Sequence, residues 1–178
     1  MPGATTDIKV FRYGVEIQPT AFGVGANQQL YEGCVALVSG SGSTTTGYLK
    51  SAVTPLELDL VAGLVGEPAG GTQVETEPGI LGGTTDGAVW VNVLTGTFMI
   101  QSGTGADALT AANNGKNVYY GGENAQGPIA CTLQSNGGGT RPVLGIQLPQ
   151  DPGFANNYIP GSNYWPIKLN VIGGPGGV

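Results

Sequence analysis

The sequence predicts an all-β protein: a small β-barrel or β-sandwich with an extended N-terminal arm and one short helical turn. Apolar residues make up 40% of the 178 residues, and they fall in short runs between turn residues. Those turns are supplied by 33 glycines and 12 prolines. Repeated short strands separated in this way are typical of barrels and sandwiches. The length suits one domain with a core of useful size.

The pattern divides the chain into three segments. Residues 1–30 are predicted to form the extended arm, because residues 11–17 alternate between apolar and polar and Pro19 follows closely. Residues 31–150 are predicted to form the β-barrel core. Residues 151–178 are predicted to add a C-terminal strand and a glycine-rich tail.

Four patterns place strands in the core. Residues 34–38 and 47–53 flank a small-residue loop, which predicts a hairpin. Residues 56–60 alternate leucine with acidic residues, which predicts leucines toward a core and carboxylates toward water. Residues 88–94 are apolar on both faces, so this strand is expected to be central and covered on each side. Gly96 then predicts a bulge or a tight turn.

The one clear helical turn is predicted over residues 109–115. Thr110 is suited to cap its start, since a threonine side chain accepts hydrogen bonds from the first free N–H groups. Gly115 is suited to close its end in the left-handed conformation.

Charge and composition exclude several classes of function. The chain has no histidine, which removes the commonest general base and the imidazole metal ligand. The net charge is −6, and between Lys50 and Lys116 there are seven acidic residues and no basic one. Such a block repels nucleic acid and anionic lipid, so neither is expected as a partner. The sequence also shows neither a membrane-spanning apolar run nor a secretory signal pattern.

The two cysteines, Cys34 and Cys131, lie in strand-like runs almost 100 positions apart. This spacing matches no metal motif, and buried free thiols in a reducing cytosol are the favoured interpretation. A disulfide between them is the alternative.

Two pairs of carboxylates are candidates for chemistry. Glu57 and Asp59, and likewise Glu75 and Glu77, are two positions apart and share a face if they lie on strands. Each pair suits either acid catalysis or calcium binding, but a solvated strand face is favoured because a calcium site needs more ligands. We therefore predict no catalytic residue, no metal and no cofactor.

Two glycine-rich stretches resemble anion-binding loops. Residues 23–28 lack the third glycine of a dinucleotide loop and are interpreted as a turn. Residues 137–139, before Arg141, suit either an anion cradle or a plain loop tip, and the loop tip is favoured.

Aromatic and branched side chains outside the predicted core are the candidate contacts with other proteins. The arm supplies most of them, and the C-terminal segment supplies secondary ones that suit an interface or packing on the chain's own barrel equally well, with sugar stacking behind. These residues are Phe11, Tyr13, Val15, Ile17, Tyr158, Tyr164 and Trp165.

Several motifs occur together in a recognisable order. They are the hairpin of residues 33–52, WVNVLTGTF at 90–98, LTAA at 109–112, GKNVY at 115–119 and VLGI at 143–146. In this order the set resembles the small structural proteins of tailed bacteriophages that decorate or cement the capsid. The resemblance covers about residues 31–150, whereas the N-terminal arm and the aromatic C-terminal segment depart from the family's pattern.

The resemblance implies a non-enzymatic virion protein. Such a protein is made in the cytoplasm of the host bacterium, forms a dimer or trimer on the outer capsid surface, and bridges neighbouring subunits of the major capsid protein. An alternative is a phage tail part or a receptor- or carbohydrate-binding β module that uses Tyr164 and Trp165 as stacking platforms. A third is a hydrolase that uses Glu75 and Glu77.

Overall fold

A computed structural model confirms the all-β prediction. The described residues form two five-stranded units, two smaller strand pairings and two short 3₁₀ turns, Gly105–Asp107 and Ala111–Asn113. The residues that the structure describes are 11–12, 18–38, 47–52, 59–69, 79–124, 127–133, 135–136, 139–150 and 163–169. In chain order, the strands are β1 (Phe11–Arg12), β2 (Gln18–Gly23), β3 (Gln29–Leu30), β4 (Val35–Val38), β5 (Leu49–Lys50), β6 (Leu60–Pro68), β7 (Ile80–Leu81), β8 (Trp90–Thr95), β9 (Thr97–Ser102), β10 (Asn117–Asn124), β11 (Gly127–Cys131), β12 (Ser135–Asn136), β13 (Gly139–Thr140), β14 (Val143–Gln147) and β15 (Tyr164–Leu169).

The first unit is a closed five-stranded barrel. Its strands follow the spatial order β9, β11, β10, β14 and β15, and β15 returns to pair with β9. The β9–β11 joint is parallel and the other joints are antiparallel. Closing the ring in this way removes the exposed strand edges that an open sheet would leave.

The β9–β11 joint is short, and β1 extends it. β11 pairs with β9 only at Gln101 and Ser102. The same edge of β9 continues with β1, which places Phe11 opposite Met99 and Arg12 opposite Phe98. Because β15 pairs along the other edge of β9, β1 and β11 together cover one side of this strand. We call the β9 edge at Phe98 and Met99 the barrel seam.

The second unit is a five-stranded antiparallel sheet in the order β2, β8, β6, β4 and β5. Its two end strands meet where Val24, directly after β2, forms a bridge with Leu49 of β5. The Gly25 N–H also donates to the Leu49 carbonyl oxygen at 2.8 Å. The sheet therefore curls until its ends touch, and β3 and β7 form a separate two-stranded pairing.

Gly96 is the point at which the chain passes from one unit to the other. It separates β8, in the second unit, from β9, in the barrel. Its φ of 132° lies in a region that favours glycine, and its carbonyl oxygen accepts the Leu169 N–H at 3.0 Å. The interruption predicted here is present, but it changes the sheet to which the chain belongs and does not bulge one strand.

Two apolar clusters share β4 as a common wall. Val35 and Leu37 face the first cluster, whereas Ala36 and Val38 face the second. This alternation follows from the two-residue period of a strand that is buried on both faces. The first cluster consists of Val35, Leu37, Ala52, Val61, Leu64, Phe98, Ile100, Leu109, Val118, Tyr120, Ala130, Leu144, Ile167 and Leu169. The second consists of Val24, Leu30, Ala36, Val38, Leu49, Ala62, Val65, Ile80, Val91 and Val93.

β6 contributes to both clusters through a bulge at Gly63. Val61 and Leu64 are three positions apart, yet both face the first cluster. The pairing with β4 shifts by one residue at this point, which explains the spacing. Gly63 has a φ of 151°, and a Cβ there would lie 2.6 Å from Val93 Cγ1 and against the carbonyl oxygen of Leu94. Only glycine fits at this close approach of β6 to β8.

The predicted hairpin and helical turn are both confirmed. β4 and β5 pair antiparallel, with Leu37 opposite Lys50. In the turn, Asn113 Oδ1 accepts hydrogen bonds from the Thr110 N–H and hydroxyl at 2.9 Å each. Gly115 has a φ of 78°, as a left-handed closing residue requires. The other 3₁₀ turn, before this one, was not predicted.

The prediction for the apolar strand at residues 88–94 is wrong in one respect. β8 lies one position from the edge of its sheet, between β2 and β6. Val91 and Val93 are buried, but Trp90 is 45% exposed. The segment boundaries at 30 and 150 stay predictions; β2 joins the second unit and β15 joins the barrel by regular strand pairing.

Candidate interaction site

The predicted arm meets the barrel at the barrel seam. Of its four candidate contacts, Phe11 is placed by the backbone pairing of β1 with β9. Tyr13, Val15 and Ile17 lie outside the described residues, and so does Tyr158 in the C-terminal segment. The arm's main chain therefore uses strand addition, in which backbone hydrogen bonds supply the attachment.

The other two C-terminal candidates are part of the barrel wall. Tyr164 and Trp165 begin β15 and lie opposite Gln101 and Ile100 of β9. Trp165 is half-buried and packs against the first cluster. Tyr164 is also half-buried, and this burial raises the pKa of its hydroxyl. Part of the surface of each ring is therefore buried within this chain and is not available to a partner.

The carboxylate of Asp59 is buried in an ion pair. Its Oδ2 lies 2.6 Å from Lys50 Nζ, and its side chain has no exposed surface. The neighbouring Leu60 is 43% exposed. The prediction that the leucines of this stretch face the core and the acids face water is therefore reversed here. Its partner Glu57 lies outside the described residues, as does the pair at positions 75 and 77.

Arg141 is used inside the fold. Its Nη1 lies 3.3 Å from Asp107 Oδ2, and both side chains are about nine-tenths buried. The Asp107 backbone is tied to the barrel as well, because its carbonyl oxygen accepts the Thr132 N–H at 3.2 Å. An arginine committed in this way is not available to a phosphate at the glycine loop before it.

Both cysteines are buried free thiols, which confirms the prediction. Cys131 packs against glycine backbone, since a Cβ at Gly103 would lie 2.9 Å from its sulfur. Burial raises the pKa of the Cys131 thiol, and the opposing effect of Arg141 is smaller. Such a thiol is protonated and unreactive at neutral pH.

Glu123 connects the two units. It lies on β10 of the barrel, and its Oε1 accepts the Val35 N–H of β4 at 2.6 Å in a buried setting. A small cleft of about 10 Å³, room for about one water molecule, opens beside it between the units. Burial raises the pKa of Tyr120, and the nearby Glu123 carboxylate adds to that increase. The cleft is lined by Gln29, Leu30, Tyr31, Cys34, Val35, Ser51, Ala52 and Glu123.

We expect Glu123→Ala to lower the free energy of unfolding by about 1–3 kcal/mol, because the buried Val35 N–H loses its carboxylate acceptor. Glu123→Gln keeps an acceptor oxygen and should lower the free energy of unfolding by less than half as much. Urea unfolding of both variants at pH 7 measures the difference. Equal losses for the two variants would show that the carboxamide cannot replace the carboxylate at Val35.

Stability is expected to decrease above pH 9. Cys131 and Tyr120 have raised pKa values in the folded chain, against ordinary values of 9.0 and 10.0 in the unfolded chain. Below the ordinary values both states hold these protons, and stability is at its full value. Above them the unfolded chain releases protons that the folded chain retains, so unfolding becomes easier by about 1.4 kcal/mol per pH unit and group.

Urea unfolding midpoints at pH 7, 9 and 10.5 test this expectation. Tyr120→Phe is the matched variant, because it removes one titrating group and keeps the ring. Its stability should fall less steeply above pH 10 than that of the parent chain. Parallel curves for the two proteins would show that the Tyr120 hydroxyl ionises equally easily when folded.

Sequence reasoning missed the exposed apolar residues, of which Trp90 is the largest. An apolar run predicts burial on both faces, whereas in the structure the first residue of β8 is exposed. The signal available in the sequence was Gly23, which turns out to lie opposite Trp90. The large exposed apolar residues in the described part of the chain are Leu60, Leu81, Trp90, Leu133 and Ile146.

Within the described ranges, no group of three or more acidic and cysteine side chains is arranged to hold a metal ion. No helical segment there has the length and apolar character that crossing a membrane requires. The chain matches no protein-family model, no curated protein and no solved structure.

Proposed function

We propose that the chain is a structural protein of a bacteriophage virion. It decorates the outer capsid surface as a small homo-oligomer and stabilises the shell by bridging neighbouring major capsid subunits. The observation that carries the proposal is the pairing of β1 with the barrel seam. A strand from the predicted arm already binds a β-sheet edge through its main chain, and the same chemistry serves for binding a neighbouring subunit.

The use of charged side chains supports this role. Lys50, Asp59, Asp107 and Arg141 form ion pairs inside the fold, and Glu123 joins the two units. Charged side chains that are paired inside the fold stabilise it, which suits a protein with a structural role. The net charge of −6 opposes contact with packaged nucleic acid, which fits a place on the outside of a shell.

The mechanism is mass action. A protein that binds only the assembled shell stabilises that shell by its free energy of binding. An oligomer that engages several capsid subunits at once gains further, because the second contact forms at a high effective concentration. Each contact with a capsid subunit can then be weak while the oligomer as a whole still stabilises the shell.

Deletion of residues 1–17 tests the role of the arm. The deletion removes β1 but keeps β2, which pairs along β8 from Gln18 onward. We expect the shortened chain to stay folded, by circular dichroism, and to lose co-sedimentation with capsids of the encoding phage assembled without this protein. Leu133→Ala, at an exposed position away from the seam, should bind like the parent. Equal binding by the shortened chain would refute the arm mechanism.

A further inference from the structure

An aromatic surface lies on the outer face of the second unit, at the end of β8. Trp90 is 45% exposed there and lies opposite Gly23 of β2. Residues directly opposite each other in antiparallel strands project to the same face of the sheet. The indole of Trp90 therefore lies beside Gly23, which has no side chain of its own on this face.

The ring of Tyr48 occupies that space. A Cβ at Gly23 would lie 2.9 Å from Tyr48 Cδ1, and a Cβ at Gly87 would lie 2.9 Å from Tyr48 Cε1. The phenol ring thus rests against bare backbone at both glycines and is half-buried. Covering a glycine with a neighbouring aromatic ring is a known stabilising device in sheets. Here it also brings two aromatic side chains, Trp90 and Tyr48, to one face.

A polar turn borders these rings. Thr84, Thr85 and Asp86 are exposed and lead directly into Gly87, on which the Tyr48 ring rests. The turn is held in place, because Asp86 Oδ1 accepts the Ala26 N–H at 2.7 Å and the Gly87 N–H donates to the Val24 carbonyl oxygen at 2.9 Å. The Asp86 carboxylate is therefore held beside the aromatic surface, which lowers the conformational cost of using it to bind a ligand.

We propose that this surface, formed by Tyr48, Trp90 and residues 84–86, binds a neutral saccharide. Aromatic faces suit the apolar faces of sugar rings, and the held Asp86 carboxylate and the exposed hydroxyls of Thr84 and Thr85 suit sugar hydroxyl groups. The carboxylate of Asp86 disfavours acidic sugars by repulsion. A protein contact at the same indole is the competing outcome, and the capsid-binding measurement below distinguishes it from sugar binding. This activity goes beyond capsid decoration and does not depend on it.

The presence of only two tryptophans makes the proposal directly testable. Trp165→Phe removes the tryptophan that packs on the barrel core and leaves Trp90 as the only reporter of the surface. Titration of this variant with maltohexaose, cellohexaose and chitohexaose, followed by tryptophan emission, should give a saturable change with at least one of the three. Polygalacturonate, which is acidic, should give none.

Trp90→Ala in the otherwise native chain, measured by calorimetry, should weaken binding of that sugar by about tenfold or more. Asp86→Asn should preserve stacking but change selectivity toward polygalacturonate. The proposal is overturned if no neutral sugar saturates the emission change, or if Trp90→Ala binds as tightly as the parent. It is also overturned if Trp90→Ala abolishes capsid co-sedimentation while no sugar binds, since the surface would then be a protein contact.

Discussion

Replacing Asp59 by alanine is expected to lower the free energy of unfolding by about 3 kcal/mol, one of the largest effects of any single substitution in the described chain. The carboxylate has no exposed surface, and Lys50 Nζ lies 2.6 Å from it. Without Asp59 the ammonium group remains largely buried and has lost its counter-charge. The expected value lies at the low end of the range for broken buried pairs, because the Lys50 side chain keeps 13% exposure and can partly reach water.

A double variant separates the charge effect from packing. In Lys50→Met/Asp59→Leu, apolar side chains of similar length replace both charges, and such replacements are often neutral or stabilising. Its stability in urea at pH 7 should lie within about 1 kcal/mol of the parent. A loss as large as that of Asp59→Ala would mean that this position cannot accept an apolar side chain, and the explanation by an unpaired charge would fail.

Gly63→Ala is expected to destabilise the chain by about 3–5 kcal/mol, through backbone strain and overpacking together. The φ of 151° is unfavourable for alanine, and its methyl group would press on Val93 and on the backbone of Leu94. Because the contact is with backbone, no side-chain rotation relieves it. The bulge of β6, and with it the separation of the two clusters, depends on this residue.

Gly47→Ala is the matched control for that substitution. Gly47 also has a positive φ, 88°, but a Cβ there would meet nothing within 4 Å. Gly47→Ala should lower the free energy of unfolding by only about 1–2 kcal/mol, because it adds backbone strain without a steric clash. The difference between the two variants in chemical unfolding therefore measures the cost of steric crowding between β6 and β8. Equal losses would show that backbone conformation alone explains the effect at Gly63.

The features that were predictable from the sequence are local ones. The β4–β5 hairpin and the turn closed by Gly115 follow from short-range patterns, and the structure contains both. The all-β class follows in the same way, because turn residues and short apolar runs alternate along the whole chain. These signals depend on neighbours in sequence, which a single chain shows directly.

The features that were missed depend on contacts between distant segments. Asp59 is buried beside Lys50 because β5 and β6, the strand that Asp59 directly precedes, pair with the two edges of β4. Trp90 is exposed at the start of β8, opposite Gly23, whereas Trp165 packs on a core because β15 closes the barrel. Hydrophobicity alone gives the same expectation for both tryptophans, so the packing of distant strands decides which one remains exposed.

The closure of both units also affects the tendency of the protein to aggregate at high concentration. The closed barrel leaves no unpaired strand edge with which a second molecule could pair. In the other unit, the bridge between Val24 and Leu49 shortens the unpaired edge. Along β2 the open side begins near Pro19, which has no N–H to donate. Amyloid-like stacking needs a continuous row of donors and acceptors, and Pro19 interrupts such a row along β2.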